Sequence, residues 1–303
     1  MTMINMKDQT IGVEIEMTGI TRKQVAEITA EHTNGQAQRK SNGGWIVTGA
    51  DGRKWDIKYD GSIKAKKRPA PGRKMQPVGY GESQEWAPEL ATPILTYDDI
   101  PMLQELVRKL FKAGGRSSAD LGCGMHIHIG ADKHDARSLR NLVNIIASKQ
   151  NLLYTAAQVD WNRESGYAAK TRANLVEQLN QQKPTAVNGL GNTIQGILSA
   201  TGTDRYHGLN LQAIWKIGTV EWRLFNGTMH AGEIKAYIQL ALAISAQAIN
   251  QRSASPTETT TTNPAFTFRT WLIRLGLNGD EFKTARQHLL KHLPGDKAWR
   301  HAA

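Results

Sequence analysis

At 303 residues, 40% hydrophobic and 21% charged, the chain is an ordinary globular sequence, long enough for one large domain or a domain with appendages. Its single cysteine, Cys123, excludes an intramolecular disulfide. The longest apolar run, Ile238 to Ile249, is broken by Gln239, Ser245 and Gln247 and is too short for a membrane span. With no signal-peptide apolar core in the first residues, the expectation is a soluble cytoplasmic protein without a membrane partner.

In chain order, Met1 to Asp8 reads as a loose leader and residues 9–17 as a strand. Thr21 is placed to cap a helix from Arg22 to about His32, with Val25 and Ile28 on its inner face beside the small Ala26 and Ala30. Asn34-Gly35 is a turn. Gly44–Val47 and Trp55–Asp60 read as hairpin strands joined by Gly49-Ala50-Asp51-Gly52 and ending in Asp60-Gly61-Ser62. Residues 64–83, rich in Lys, Arg, Pro and Gly, read as a loop placed as a mobile lid would be. Glu85 to Pro93 returns to the sheet. Tyr97 to Lys112 is a helix with Leu103, Leu106, Val107, Leu110 and Phe111 at helical spacing, stopped by Gly114-Gly115.

A strand follows at Gly122–Gly130, and Cys123 beside it reads as a small buried residue. Residues 135–183 read as helical, and Lys183 to Gly202 as a polar loop holding a short helix near Thr193 to Leu198. Trp161, Asn162, Arg163 and Tyr167 are candidate substrate contacts. Arg205 to Trp215 and Thr219 to Phe225 read as strands, and Glu233 to Asn250 as an apolar helix behind the sheet. Gln251 to Pro264 reads as a linker, and Thr267–Leu275 and Glu281–His292 as two small helices. The domain expectation is a catalytic domain over 1–250, with 64–83 as a basic lid and 135–202 as a helical insertion, a linker over 251–265 and a helical segment over 266–303.

Four stretches share one alternation. Met125, Ile127 and Ile129 face one way while His126 and His128 face the other. Ile11, Val13, Ile15 and Met17 oppose Glu14 and Glu16. Val220, Trp222 and Leu224 oppose Glu221 and Arg223, and Glu89 lies in the fourth stretch. Glutamate is depleted in strands, and neighbouring like charges on one face repel. A cation among them relieves that cost. Carboxylates with an imidazole suit Mg²⁺ or Mn²⁺, and an arginine beside them offers a planar fork for a phosphate. Each stretch alone is also explained by a solvated strand face.

Between Arg39 and Lys74 eleven basic residues face three acids, a net of +8 within a total of +11. A solvated flexible loop, a clamp on ATP or another anionic substrate, and contact with nucleic acid all account for it.

The segments Gly12-Val13-Glu14-Ile15-Glu16, Glu89 with the following Thr92-Pro93, Gly124-Met125-His126-Ile127-His128 and Glu221-Trp222-Arg223 resemble, in that order, the putative amidoligase family. That family belongs to the carboxylate–amine ligases of the glutamine synthetase and glutamate–cysteine ligase type. Arg205-Tyr206-His207-Gly208-Leu209-Asn210 is similar to a further family segment, and the likeness spans roughly residues 9 to 250.

The resemblance implies an α+β fold: a curved, mostly antiparallel sheet with its site on the concave face and helices packed behind. It implies metal ligation by Glu14, Glu16, Glu89, His126 and Glu221, with His128 and Arg223 at the nucleotide phosphates and Lys64 and Lys66 as lid cations. Arg205 becomes an anion clamp. Asp60, in an Asp-x-Ser that the family commonly has, becomes a residue for the attacking amine. The implied cofactors are ATP and Mg²⁺ or Mn²⁺. The implied partners are a small-molecule, peptide or protein carboxylate and an amine. The implied reaction forms an acyl-phosphate that the amine converts to an amide. A metal-dependent hydrolase built on the His-x-His strand and a non-catalytic polyanion or nucleic-acid binder are the alternatives.

Overall fold

The structure, a computed structural model, describes residues 3–70 and 72–300. Its strands are β1 (Ile11–Glu16), β2 (Gln36–Arg39), β3 (Trp45–Thr48), β4 (Lys54–Tyr59), β5 (Lys66–Lys67), β6 (Gln76–Pro77), β7 (Pro88–Ala91), β8 (Gly124–Gly130), β9 (Leu209–Asn210) and β10 (Thr219–Asn226). Its α-helices are α1 (Arg22–His32), α2 (Ile100–Lys112), α3 (Ala136–Ala156), α4 (Trp161–Gly166), α5 (Ala173–Gln182), α6 (Ile194–Ala200), α7 (Ala213–Ile217), α8 (Ala231–Asn250), α9 (Pro264–Arg274) and α10 (Lys283–Leu289). The mixture of helix and large antiparallel sheet agrees with the expected α+β class. Two compact units divide the chain. The N-terminal unit is Thr10–Ile127 with Asn226–Lys235, and the C-terminal unit is Met1–Gln9, His128–Phe225 and Ala236–Ala303. The division falls inside β8.

In the N-terminal unit the strands run in the order β2-β3-β4-β7-β1-β8 and do not close into a barrel. The pairings β2–β3, β3–β4, β4–β7 and β7–β1 are antiparallel. The alternation of β1 is realised in its burial: Ile11, Val13 and Ile15 are in the core, as is Met17 just beyond. Each such side chain contributes about 1.5–3 kcal/mol of burial, which fixes the face on which the glutamates stand. Thr21 caps α1, its hydroxyl accepting from the Gln24 N–H while the Gln24 side chain returns to the Thr21 N–H. The helix packs on β3, β4 and α2 through Val25, Ala26, Thr29 and Ala30. Ile28 is only partly covered, and Phe111 of α2 is 48% exposed, both against the helical-spacing expectation.

Three further departures belong to this unit. β2 is an unexpected strand, added by pairing with β3 rather than by any apolar pattern of its own. Residues 64–83 are not wholly irregular, since β5 and β6 pair within them. The strand expected from Glu85 narrows to β7, and Glu85 itself pairs with Arg22.

In the C-terminal unit the end of β8 is followed in the sheet by β10 and β9, with β10 and β9 antiparallel. α3, α5 and α6 pack on one another. Of the expected leader, residues 1 and 2 lie outside the described residues, and Met6–Asp8 form a 3-10 turn capped by Asn5, with Met6 buried. The strand expected over Arg205–Trp215 shrinks to β9. Tyr206 N–H donates to Asp204 Oδ1 before it, and the Gln212 N–H donates to Asn210 Oδ1 after it, so polar side chains turn the backbone at both ends. α7 follows and Gly218, at φ 73°, ends it. The expected linker is tied along α3. Asn141 donates to Gln251 O, Asn144 to Ala254 O, and Thr259 N–H to Ser148 O. Among the described residues no helix is long and apolar enough to cross a membrane.

Candidate active site

β1 delivers Glu14 and Glu16, β7 delivers Glu89, β4 delivers Lys58 with Asp60 just beyond it, and β8 delivers His126. The register sets them side by side: Glu16 pairs with Glu89 across β1–β7, and Lys58 with Glu89 across β4–β7. An oxygen from each of Glu16, Asp60 and Glu89 lies within 4.8 Å of the others. His126 stands against the first strand, with Nδ1 2.9 Å from Glu14 Oε2 and Nε2 3.6 Å from Glu16 Oε1. The Gly124 N–H donates to the other Glu16 oxygen at 2.6 Å. Glu16, Glu89 and His126 are at most 5% exposed. The structure therefore brings Glu14, Glu16, Glu89, His126 and Asp60 together on one unit.

Two buried carboxylates, with Glu14 and Asp60 half-buried beside them, are costly. Burial first, then the charges of Glu14 and Glu16, raise the Glu89 carboxyl to about 8 against the opposing pull of Lys58. Lys58 lies 2.7 Å from Glu89 and 3.4 Å from Glu14. Burial disfavours its charge, but the two glutamates outweigh that and raise its pKa. One ammonium serves a cluster of carboxylates, so the donor set fits a hard divalent cation. Sequence reasoning missed Lys58, which was absorbed into the basic run. The signal was present: Trp55 and Ile57 alternate with Asp56 and Lys58 on β4.

Asp60 is also held locally. Its Oδ1 accepts from the Ser62 N–H at 2.7 Å and from the Ser62 hydroxyl at 2.6 Å. Lys64 donates to the Asp120 carbonyl, and the Lys66 backbone bonds Thr18.

In the C-terminal unit Glu221 and Arg223 are adjacent same-face residues of β10. The Arg223 Nη1 lies 2.6 Å from Glu221 Oε1, and Asn210 of β9 donates to Glu221 Oε2 at 2.6 Å. Arg163 donates to the Arg223 carbonyl at 2.8 Å, and Arg223 Nε meets the Tyr167 carbonyl at 3.4 Å. Arg163 and Tyr167 are thus supports of Arg223, while Trp161 is exposed. His128 Nδ1 bonds the Thr219 hydroxyl at 3.0 Å. Arg205 does not join Arg223's hydrogen bonds. It stacks on Tyr206 and donates to its hydroxyl, which raises the guanidinium pKa further. His207 is buried against Asp204, and Asn210, a candidate backbone or substrate contact from the sequence, bonds Glu221.

The model of the family described as putative amidoligase enzyme matches residues 7–245. The chain belongs to that family. All the carboxylates, histidines and arginines named above lie inside the matched span. No curated protein matches the chain. Among solved structures it is similar to the complex between prokaryotic ubiquitin-like protein Pup and its ligase PafA. Identity is 10% over 93% of this chain and 61% of that chain, with a TM-score of 0.32. A score this low carries no argument about substrate, and the chain spans less than two thirds of that relative.

Proposed function

We propose that this chain is an amide-bond-forming ligase that is ATP-dependent, works with Mg²⁺ or Mn²⁺, and joins a carboxylate to an amine through an acyl-phosphate. The observation that carries the reading is the trio of buried Glu16, half-buried Asp60 and buried Glu89 with oxygens within 4.8 Å, flanked by His126 and Glu14. Glu14, Glu16, Glu89 and His126 would hold the cation, which when bound supplies charge neutralisation for nucleotide phosphates. The family pattern adds Glu221 to the metal ligands and His128 to the phosphates. It also favours the glutamine synthetase-like form of the fold, with the site on a concave sheet face.

The chain's own groups divide the work. Arg223, its guanidinium oriented by the Glu221 carboxylate and the Tyr167 carbonyl, presents it to the transferring phosphoryl group. The substrate carboxylate attacks the γ-phosphorus and ADP leaves. Asp60, oriented by Ser62, accepts a proton from the incoming amine, which displaces phosphate from the acyl carbon. Lys64 and Lys66 close over the phosphates, and dehydration there protects the acyl-phosphate from water. The acid and amine are a small-molecule, peptide or protein carboxylate and its partner amine, in the cytoplasm.

The test is thermal unfolding with Mg²⁺, ATP and both, for wild type, Glu16→Gln and Glu221→Gln. A rise with Mg·ATP that both variants lose supports the site. No rise in wild type at saturating Mg·ATP refutes it.

A further inference from the structure

A groove of about 630 Å³ opens in the C-terminal unit between α3, the end of α8, the 251–259 segment and α9. Its volume is that of a small-molecule site. It shares no residue with the site described above. Three cations line it, Lys149, Arg274 and Arg300, and no Asp or Glu is among the lining residues. Glu258, the one acid of the 251–259 segment, is bonded by Asn151 instead.

Lys149 is oriented rather than trailing in solvent. Its ammonium donates to the Thr259 hydroxyl at 2.5 Å and the Ser148 hydroxyl at 3.1 Å, and lies 5.9 Å from the centre of the Trp271 ring. Burial, and after it the charge of Arg274, push Lys149 below the ordinary lysine range. Two cations held close enough to repel, with hydroxyls and no carboxylate among the residues that line the groove, leave it positively charged. Ser253, Ser255 and Thr270 add hydroxyl donors on its walls, and Trp271 adds an aromatic surface. Planar guanidinium, ammonium and hydroxyl donors together match a phosphate group.

We propose that this groove is a second binding site, for a small phosphate-bearing molecule held by Lys149 and Arg274 and by the hydroxyls of the 253–259 segment. The occupant binds without a metal, because the groove offers no carboxylate to hold one. The site also gives the Ser/Thr-rich 251–259 segment a role beyond connection: it is fastened along α3 and forms one wall.

The experiment is calorimetric titration of the full chain with sodium pyrophosphate, in EDTA and at about 150 mM salt, where non-specific attraction to a chain of +11 is screened. Wild type, Arg274→Gln, Lys149→Gln, Lys149→Arg and Arg223→Gln are compared. The expected result is one saturable site, weakened at least tenfold in Arg274→Gln and Lys149→Gln and retained in Lys149→Arg and Arg223→Gln. Arg274 is an exposed residue at the end of α9, so its variant is expected to fold and carries the test if Lys149→Gln does not. Absence of saturable binding, equal affinity in Arg274→Gln and wild type, or loss in Arg223→Gln overturns the proposal.

Discussion

Glu89→Gln probes the carboxylate cluster most directly. The Glu89 carboxyl titrates at about 8 in the fold, against 4.5 ordinarily, because it is buried beside Glu14 and Glu16. A folded pKa above the unfolded one means that the fold holds its proton more tightly. The group's contribution is complete below pH 4.5 and is lost as pH rises towards 8. At about 1.4 kcal/mol per pH unit, metal-free wild type should lose on the order of 3 kcal/mol from this group between pH 5 and 8. A neutral glutamine removes that slope. Lys58 loses its 2.7 Å partner in the variant, but it stays protonated throughout, so the variant's curve is displaced without being tilted. Urea unfolding in EDTA at pH 5, 6, 7 and 8 measures the two curves, and their difference reports Glu89 together with the Glu14 and Glu16 carboxyls whose charges it shares, while groups elsewhere cancel. Adding Mg²⁺ at pH 8 should restore wild type and affect the variant much less. Parallel curves for the two proteins would refute the reasoning, since Glu89 would then ionise in the fold without cost.

His134 gives the opposite sign. Burial lowers it to about 4, between the hydroxyls of Ser138 and Ser245, so the fold should lose about 2 kcal/mol from pH 7 to pH 5 as the unfolded chain takes up the proton; His134→Gln should flatten that acid limb in the same urea series. Gly122→Ala places a Cβ 2.3 Å from the Ser62 carbonyl at a φ of +73°, and should cost about 2–4 kcal/mol while disturbing the Asp60–Ser62 turn. Glu221→Gln releases Arg223 from its 2.6 Å partner and should lower ATP-driven phosphate release at least 100-fold with the melting temperature of the ligand-free protein little changed. Thr21→Ala removes the cap of α1 and should cost about 1 kcal/mol by urea unfolding, with phosphate release unaffected.

What was legible in the sequence was periodic. β1, β8 and β10 each place an alternating apolar set in the core, and that same alternation named the opposite-face Glu14, Glu16, His126, His128, Glu221 and Arg223, several of which are themselves buried. α1 was legible because Thr21 and Gln24 cap it at a fixed spacing, and α2 because four of its five expected core residues are buried. β2 was not, since Gln36–Arg39 has no buried face and exists by hydrogen bonding to β3. Residues 205–215 failed differently: Asp204 and Asn210 have side chains that compete for the backbone, a local choice that alternation does not report. The division into two units is set by contacts between distant segments, which one sequence does not display.

Lys58 shows how a correct pattern is lost by grouping. Counted with the basic residues from 39 to 74, it is one of eleven charges that a solvated loop would explain. On β4 it alternates with buried Trp55 and Ile57, and its register partner is Glu89. Charge runs are therefore best divided at strand boundaries before they are summed. Divided so, the run contains an ammonium committed to carboxylates at Lys58, a guanidinium committed to Asp51 and Asp99 at Arg53, and an ammonium committed to Asp56 at Lys40. Polyanion binding therefore has to rest on fewer charges than the bare count suggests. The carboxylate cluster keeps its demand for a cation whatever the remaining lysines do.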